Sequence, residues 1–139
     1  MTDPFMKYFT IEELCKSSTA DELGIKNTPD TVAIANMREL VENVLDPLRE
    51  AWGGPITVNS GFRSKTLNIA VGGATNSHHL YGMAADITVG TKDRNRKLFV
   101  LVQQLGLPFT QLIDEYGYRW VHISYDPQDI RKQIIHNKK

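Results

Sequence analysis

Two adjacent histidines stand seven and eight residues before an aspartate in the segment NSHHLYGMAADI, residues 76–87. Another histidine, His122, lies in the apolar segment RWVHISY. Zinc binds histidine nitrogens and carboxylate oxygens, and a catalytic zinc site combines three protein ligands with an open position for water. The pattern is therefore compatible with a zinc site made by His78 or His79 together with Asp86 and His122. The plainer interpretation is a polar turn and a core histidine with one hydrogen bond.

The stretch SHHLYGMAAD resembles a known signature, S-x-H-x-x-G-x-A-x-D. This signature belongs to the zinc D-alanyl-D-alanine carboxypeptidases and L-alanyl-D-glutamate endopeptidases of the hedgehog/DD-peptidase superfamily. The fixed positions correspond to Ser77, His79, Gly82, Ala84 and Asp86. The resemblance implies that His79 is the metal ligand, because the neighbouring histidine occupies a variable position.

Two flanking segments are similar to the same family. Upstream, VNSGFRSKTLNIAVGGATNSHH resembles its S-G-[FY]-R-S…L-N…V-G-G-A…S-x-H run, and downstream, QLIDEYGYRWVHIS resembles its Q-L-I-x-E…W-V-H-I-S segment. With the signature between them, the resemblance covers residues ~28–125 in the family's order. It implies one zinc ion held by His79, Asp86 and His122, with a water in the fourth position that zinc activates near neutral pH.

A zinc hydrolase also needs a general base near the attacking water. Some members of the superfamily carry an acid three positions before the last histidine ligand, but here Arg119 occupies that position. The family segment Q-L-I-x-E implies an acid on the preceding strand, where Asp114 and Glu115 are adjacent. An exposed strand acid without function is the plainer alternative for either residue.

Strand geometry favours one of these two acids. A two-residue type II′ turn at residues 117–118 would fix the pairing of the two strands. The expected pairs are Tyr116 with Arg119, Glu115 with Trp120, Asp114 with Val121 and Ile113 with His122. Because cross-strand partners share a face and faces alternate along a strand, Glu115 would lie on the face of His122. This predicts Glu115 as the base, whereas a loop one residue longer would exchange the two acids.

Four further residues are candidates through the resemblance. Arg63, in SGFRS, matches the family arginine that holds substrate or stabilises the transition-state oxyanion, and a guanidinium suits both tasks. Ser77 is a candidate substrate contact, Gln111 could support the site from the strand of the base, and Trp120 could form a wall of the cleft. A turn arginine, a turn hydroxyl and a packed indole are the plainer alternatives.

Both helices and strands are predicted to position these residues. The sequence predicts the following elements: a short helix after Thr10 as N-cap, a long helix within residues 26–54 with Thr28 as N-cap and a kink at Asp46-Pro47, a helical turn at 64–73, a helix at 92–107, and strands within 55–64, 82–89, 109–117 and 118–126. Helices come first and strands later, which is typical of an α+β fold. The resemblance implies a hedgehog/DD-peptidase-like fold, in which helices pack on a small antiparallel sheet and zinc lies in a cleft on it.

Composition restricts the function classes. The chain has 139 residues, which suits a single domain at 1–139, and its 16 basic and 16 acidic residues cancel. No global charge therefore attracts nucleic acid or an anionic membrane. The basic tail at 131–139, which contains His136, is predicted to be solvated. Cys15 is alone, so an internal disulfide is excluded, and a buried apolar role is favoured over a nucleophilic one.

These observations lead to one functional expectation. We expect a monomeric zinc peptidase that cuts the peptidoglycan stem at D-Ala-D-Ala or L-Ala-D-Glu, without nucleic-acid partners or membrane insertion. The alternative is a binding module of the same fold that holds zinc without hydrolysis. The N-terminal residues show no signal peptide. We therefore expect synthesis in the cytoplasm and action on the wall after release, as in a phage or prophage lysis enzyme.

Overall fold

The computed structural model describes residues 6–138, so the first residues read for a leader and the last residue of the basic tail lie outside the described part. The helices are α1 (Ile11–Cys15), α2 (Ser18–Leu23), α3 (Thr31–Leu40), α4 (Asp46–Trp52), α5 (Lys65–Ala70) and α6 (Lys92–Gln104). The strands are β1 (Thr57–Ser60), β2 (Ala84–Thr88), β3 (Gln111–Glu115), β4 (Trp120–Ser124) and β5 (Gln133–Asn137). No helix among the described residues has the length and apolar character needed to cross a bilayer.

The five strands form one sheet in the order β1-β2-β4-β3-β5. Every neighbouring pair is antiparallel except β3 and β5, which run parallel. The predicted α+β class is confirmed, and the sheet is mixed. The basic tail is largely exposed, as predicted, but residues 133–137 are ordered as β5 at the edge of the sheet. Backbone pairing and polar side-chain contacts hold this strand, and neither leaves an apolar pattern in the sequence.

The two faces of the sheet have different roles. One face carries apolar side chains that pack against the helices in the main core, among them Ala85, Ile87, Leu112, Val121 and Ile123. Because side chains alternate along each strand, the other face carries Asp86, His122 and Glu115. Because the helices pack on one face, polar and charged side chains can lie together on the opposite face.

The observed long helix differs from the predicted one at its start and in its middle. The predicted N-cap Thr28 is wrong: the cap is Asp30, whose side chain accepts a hydrogen bond from the amide of Ala33. A π-helical turn at Val41–Leu45 then separates α3 from α4. Pro47 explains this turn, since a proline ring clashes with the carbonyl one α-helical turn before it and has no N–H to donate. This π-helical turn lies directly before Asp46-Pro47, where the kink was predicted.

The β3–β4 hairpin has the predicted register. Its pairs are Glu115 with Trp120, Asp114 with Val121 and Ile113 with His122. The predicted turn type is wrong, because residues 116, 117 and 118 all have positive φ, at 52°, 67° and 67°, and the amide of Arg119 donates to the carbonyl of Glu115. The pair predicted between residues 116 and 119 is opened into a four-residue loop. Since this loop is longer by an even number of residues, the strand register is unchanged.

Candidate metal centre

His79 lies in a short 3₁₀ turn, His78–Tyr81, that precedes β2. The hydroxyl of Ser77 accepts a hydrogen bond from the amide of His79 and caps this turn. The turn ends at Gly82, which has a φ of 73°, and a Cβ there would lie 2.5 Å from the carbonyl oxygen of Ala33. Both the left-handed backbone and the contact with α3 require glycine at this position. The chain therefore turns at Gly82.

Asp86 and His122 are partners on the neighbouring strands β2 and β4. The Nδ1 atom of His122 lies 2.9 Å from Oδ1 of Asp86, and Nε2 of His79 lies 3.4 Å from the same oxygen. All three residues are buried, with exposures of 2% for His79, 8% for Asp86 and 9% for His122. The two imidazole rings pack edge to face, with centroids 5.1 Å apart.

The state of the His79 ring shows that this group suits a metal. Its Nδ1 atom lies 2.6 Å from the carbonyl oxygen of Gly61, which only accepts, so Nδ1 carries the proton. Nε2 then bears a lone pair, and this buried atom has no hydrogen-bond partner among residues 6–138. A ligating histidine typically donates its other ring N–H to a carbonyl in this way.

The spacing of the donors fits one zinc ion. One donor atom each from His79, Asp86 and His122 can be chosen so that all three lie within 4.8 Å of one another. Ligands about 2.0–2.1 Å from a tetrahedral zinc are roughly 3.4 Å apart, close to the separation between His79 and Asp86. Two neutral imidazoles and one carboxylate are a donor set that zinc accepts. Within the described chain, His78 is not part of the group.

The charge on Asp86 is stabilised by its neighbours. Burial alone would raise the pKa of this carboxyl, but the hydrogen bond with His122 and the close approach of the His79 ring hold the pKa well below its usual range. Arg63 adds a positive charge, with Nη2 3.6 Å from Oδ2 of Asp86. Burial lowers the pKa of Arg63, and the charge of Asp86 opposes this. A carboxylate that remains ionised is available as a ligand.

The guanidinium of Arg63 is held from two further sides. Nε donates to the hydroxyl of Ser60 over 3.1 Å, and Nη1 donates to Oδ1 of Asn68 over 3.0 Å. Asn68 is itself buried and donates to the carbonyl of Ala74. Gly73 permits this arrangement, because a Cβ there would lie 2.1 Å from Oδ1 of Asn68 and 2.7 Å from Nη1 of Arg63. Asn68 therefore helps to hold Arg63 beside Asp86, a contact that no motif in the sequence indicated.

A groove of about 710 Å³ adjoins this network and shares Asn68 and Gly73 with it. Its other walls include Phe62, Lys65, Ile69, Leu80 and Tyr81. Two of these side chains, Ile69 and Tyr81, are 72% and 49% exposed. Thr28, Asp30, Ser64 and Thr75 also line it, so polar and apolar side chains share its walls.

A family model described as Peptidase M15 matches residues 7–124. The chain belongs to the peptidase M15 family. A zinc D-Ala-D-Ala carboxypeptidase of Streptomyces albus G is 57% identical over 49 residues, which cover 34% of this chain and 19% of that protein. The match thus spans about a fifth of the length of the curated relative. Membership of the M15 family confirms the predicted resemblance and the metallopeptidase class, and the relative and the buried donor group support zinc as the cofactor.

The two candidate acids lie on opposite faces of β3. Glu115 is half-buried on the face of His122, and Nδ2 of Asn137 donates to its Oε1. Asp114 is 3% exposed on the core face, where its carboxylate bonds the ring of His136. His136 thus has a defined partner, while its side chain stays 53% exposed, in line with the predicted solvation.

The two predicted supporting residues also lie on the face of the metal centre. The side chain of Gln111 donates to Gln133 on β5, at the end of β3 remote from Glu115. The ring of Trp120 packs against Tyr116, with centroids 5.1 Å apart. Its Nε1 atom is buried and has no hydrogen-bond partner in the described part of the chain. Gln111 thus joins two strands, and Trp120 fills the sheet surface beside His122.

Some residues that contact the candidate site carried no sequence signal. Gly61 contributes only a backbone carbonyl to His79, and any residue has a carbonyl, so only the folded backbone identifies it. Asn137 lies beyond the family match, in a segment whose composition indicated a tail. The pattern V-G-G-A could have indicated the close contact at Gly73.

Proposed function

We propose that this chain is a zinc-dependent peptidase that hydrolyses a peptide bond in the peptidoglycan stem, at a D-Ala-D-Ala or an L-Ala-D-Glu linkage. The observation that carries the proposal is the buried group of His79, Asp86 and His122, in which one lone-pair nitrogen lacks a partner. The printed name of the Streptomyces relative favours D-Ala-D-Ala as the first bond to test. In this proposal, residues 1–139 form a single domain, and the protein acts on the cell wall as a monomer.

The metal ligands in this proposal are His79, Asp86 and His122. When bound there, zinc would supply a Lewis acid that polarises a carbonyl oxygen and lowers the pKa of a water towards about 7. The carbonyl of Gly61 keeps the His79 proton on Nδ1, so Nε2 is available to the ion. The single carboxylate leaves the loaded centre with a net positive charge, which favours developing negative charge on a substrate oxygen.

Glu115 is the general base in this proposal. Its carboxylate accepts a proton from the attacking water and returns it to the leaving amine. Support comes from its place two residues along β3 from Ile113, which pairs with His122. Asp114 is unsuited to this task, because its side chain is buried on the core face against His136. Some members of the superfamily carry an acid three positions before the last histidine ligand, but this chain has Arg119 there. The base in this proposal therefore comes from the neighbouring strand.

Arg63 binds the substrate or stabilises its oxyanion in this proposal. A guanidinium has five N–H donors, and Ser60 and Asn68 occupy two of them. Nη2 also faces Asp86 over 3.6 Å, and the N–H groups still without a partner can bind a terminal carboxylate or a developing oxyanion without reorganisation, since the side chain is already fixed. The groove beside Asn68 is a place for the rest of the stem peptide, with Ser77 as a further polar contact.

Digestion of a synthetic stem pentapeptide tests the proposal. The zinc-loaded chain should release one alanine, and tandem mass analysis of the remaining tetrapeptide tells which end was cut. A chelator should abolish the release and added zinc should restore it. His79→Ala should be inactive, and His78→Ala serves as the matched control because that residue lies outside the donor group. Binding of the peptide with no turnover by the zinc-loaded parent would contradict the proposal and favour the binding module.

A further inference from the structure

The C-terminal strand β5 contacts the proposed base directly. Asn137 is the parallel partner of Glu115, and its Nδ2 donates to Oε1 of that carboxylate over 2.7 Å. The family match ends at residue 124, so β5 lies outside it. A contact with the proposed base therefore comes from a segment that the family pattern does not include.

The chemistry of this contact suits a carboxylate that must exchange a proton. An amide N–H donates a hydrogen bond but does not give up its proton at neutral pH, so Asn137 can orient Glu115 without competing for the substrate proton. The bond occupies Oε1 and leaves Oε2 to act as the acceptor. A fixed carboxylate also loses less rotamer freedom when the transition state forms.

Asn137 is itself held in place. Its carbonyl accepts a hydrogen bond from the amide of Tyr116, so its backbone and its side chain both contact the end of β3. On the core face, the ring of His136 bonds the buried carboxylate of Asp114. Four residues away, the side chains of Gln111 and Gln133 bond over 2.9 Å. These contacts join β5 to β3 along its whole length and on both faces.

We propose that Asn137 is a positioning residue for Glu115, and that β5 is a working part of the active site. This inference rests on the proposed function, because it assigns Asn137 a role through the base. The hydrogen bond from Asn137 fixes the plane and direction of the carboxylate. Loss of this bond should slow the chemical step and leave the zinc centre, two strands away, as it was.

Steady-state kinetics on the stem pentapeptide test this proposal. Asn137→Ala should lower kcat about ten- to a hundredfold, the scale of a slightly misplaced catalytic group, with KM and zinc content unchanged. Asn137→Asp should lose more, because it sets a second carboxylate against Glu115. Gln133→Ala is the matched control: it removes an amide side chain from the same strand and the same face, and should retain the parental rate.

A double-mutant comparison separates positioning from general support of the fold. In a Glu115→Gln background, Asn137→Ala should reduce the residual rate by less than about twofold, since its effect passes through the carboxylate. An equal loss in both backgrounds, or a parental or higher kcat for Asn137→Ala alone, would overturn the positioning role. If the parent is inert or Glu115→Gln is fully active, the proposed function or its base fails, and the positioning role fails with it.

Discussion

Glu115 pairs with Trp120 across the β3–β4 hairpin, which places it on the sheet face that carries His122. Asp114, one residue earlier, pairs with Val121 on the opposite face and lies in the core. Two adjacent carboxylates thereby lie on opposite faces, one on the face of the metal centre and one in the core. The division depends on an even number of residues in the loop between the strands.

Glu115→Gln should therefore lower kcat by about 10² to 10⁴, the usual cost of removing a general base, or roughly 3–5 kcal/mol of barrier. Zinc content should stay at one per chain. Asp114→Asn is the control and should retain activity to within about a factor of ten, although the protein should be less stable because His136 loses its anionic partner. Rates on a stem peptide, measured beside zinc content, check this. Full activity in Glu115→Gln with inactive Asp114→Asn would show that Asp114 is the base.

The two adjacent histidines should differ in their effect on metal content. His79→Ala removes a ligand and should abolish stoichiometric zinc binding, whereas His78→Ala should keep one zinc per chain. Metal analysis after gel filtration decides between them. The opposite result would place His78 in the donor group and contradict the geometry of the 3₁₀ turn.

Removal of zinc should lower the melting temperature. Zinc binds the folded site and has little affinity for the unfolded chain, so a concentration a hundredfold above Kd adds about 2.7 kcal/mol to the free energy of unfolding. For a domain of this size the shift should be several degrees. Thermal melts with and without a chelator measure it. The His79→Ala protein should show no such shift, and a parent with an unchanged melting temperature would contradict an occupied site.

Gly61→Ala should weaken both the fold and the metal centre. A Cβ at Gly61 would lie 2.2 Å from the carbonyl oxygen of Leu14, so the loop that supplies a carbonyl to His79 must move. We expect a loss of about 1–3 kcal/mol in the free energy of unfolding and a zinc affinity about 10–100-fold weaker. Gly54→Ala is the control, because a Cβ there has only ordinary contacts, at 3.8 Å. Urea unfolding and zinc competition give the two values, and equal behaviour of both variants would contradict the contact.

Cys15 should react slowly with alkylating reagents. Burial, followed by the charge of Glu12, raises the pKa of its thiol to about 11. The neutral thiol is therefore favoured in the fold, and this contribution to stability is lost as pH rises from about 8.5, the unfolded value, through the folded pKa. Alkylation followed by mass analysis should be far slower at pH 8 than in denaturant and should rise about tenfold per pH unit. A rate at pH 8 equal to that of the unfolded chain would contradict the raised pKa.

The sequence predicted the three residues of the buried donor group and less of the frame that supports them. The signature distinguished His79 from its neighbour, and strand alternation placed Glu115 and Asp114 on opposite faces, because both arguments rest on local spacing. The N-cap was missed at Asp30, since Thr28 also carries a capping oxygen and Pro29 suits a helix start. β5 was missed because its partners lie 22 residues earlier in the chain, and polar contacts over that distance leave no periodicity.

The parallel strand β5 also covers the backbone edge of β3 and forms the outer edge of the sheet on that side. Without it, the N–H and C=O groups of β3 would form an open edge beside apolar side chains, a template for intermolecular pairing. With it, the outer edge belongs to a strand flanked by Lys132 and Lys138, whose charges repel a second copy. Shortening the chain before Gln133 would therefore favour self-association and aggregation, a cost separate from any change in turnover.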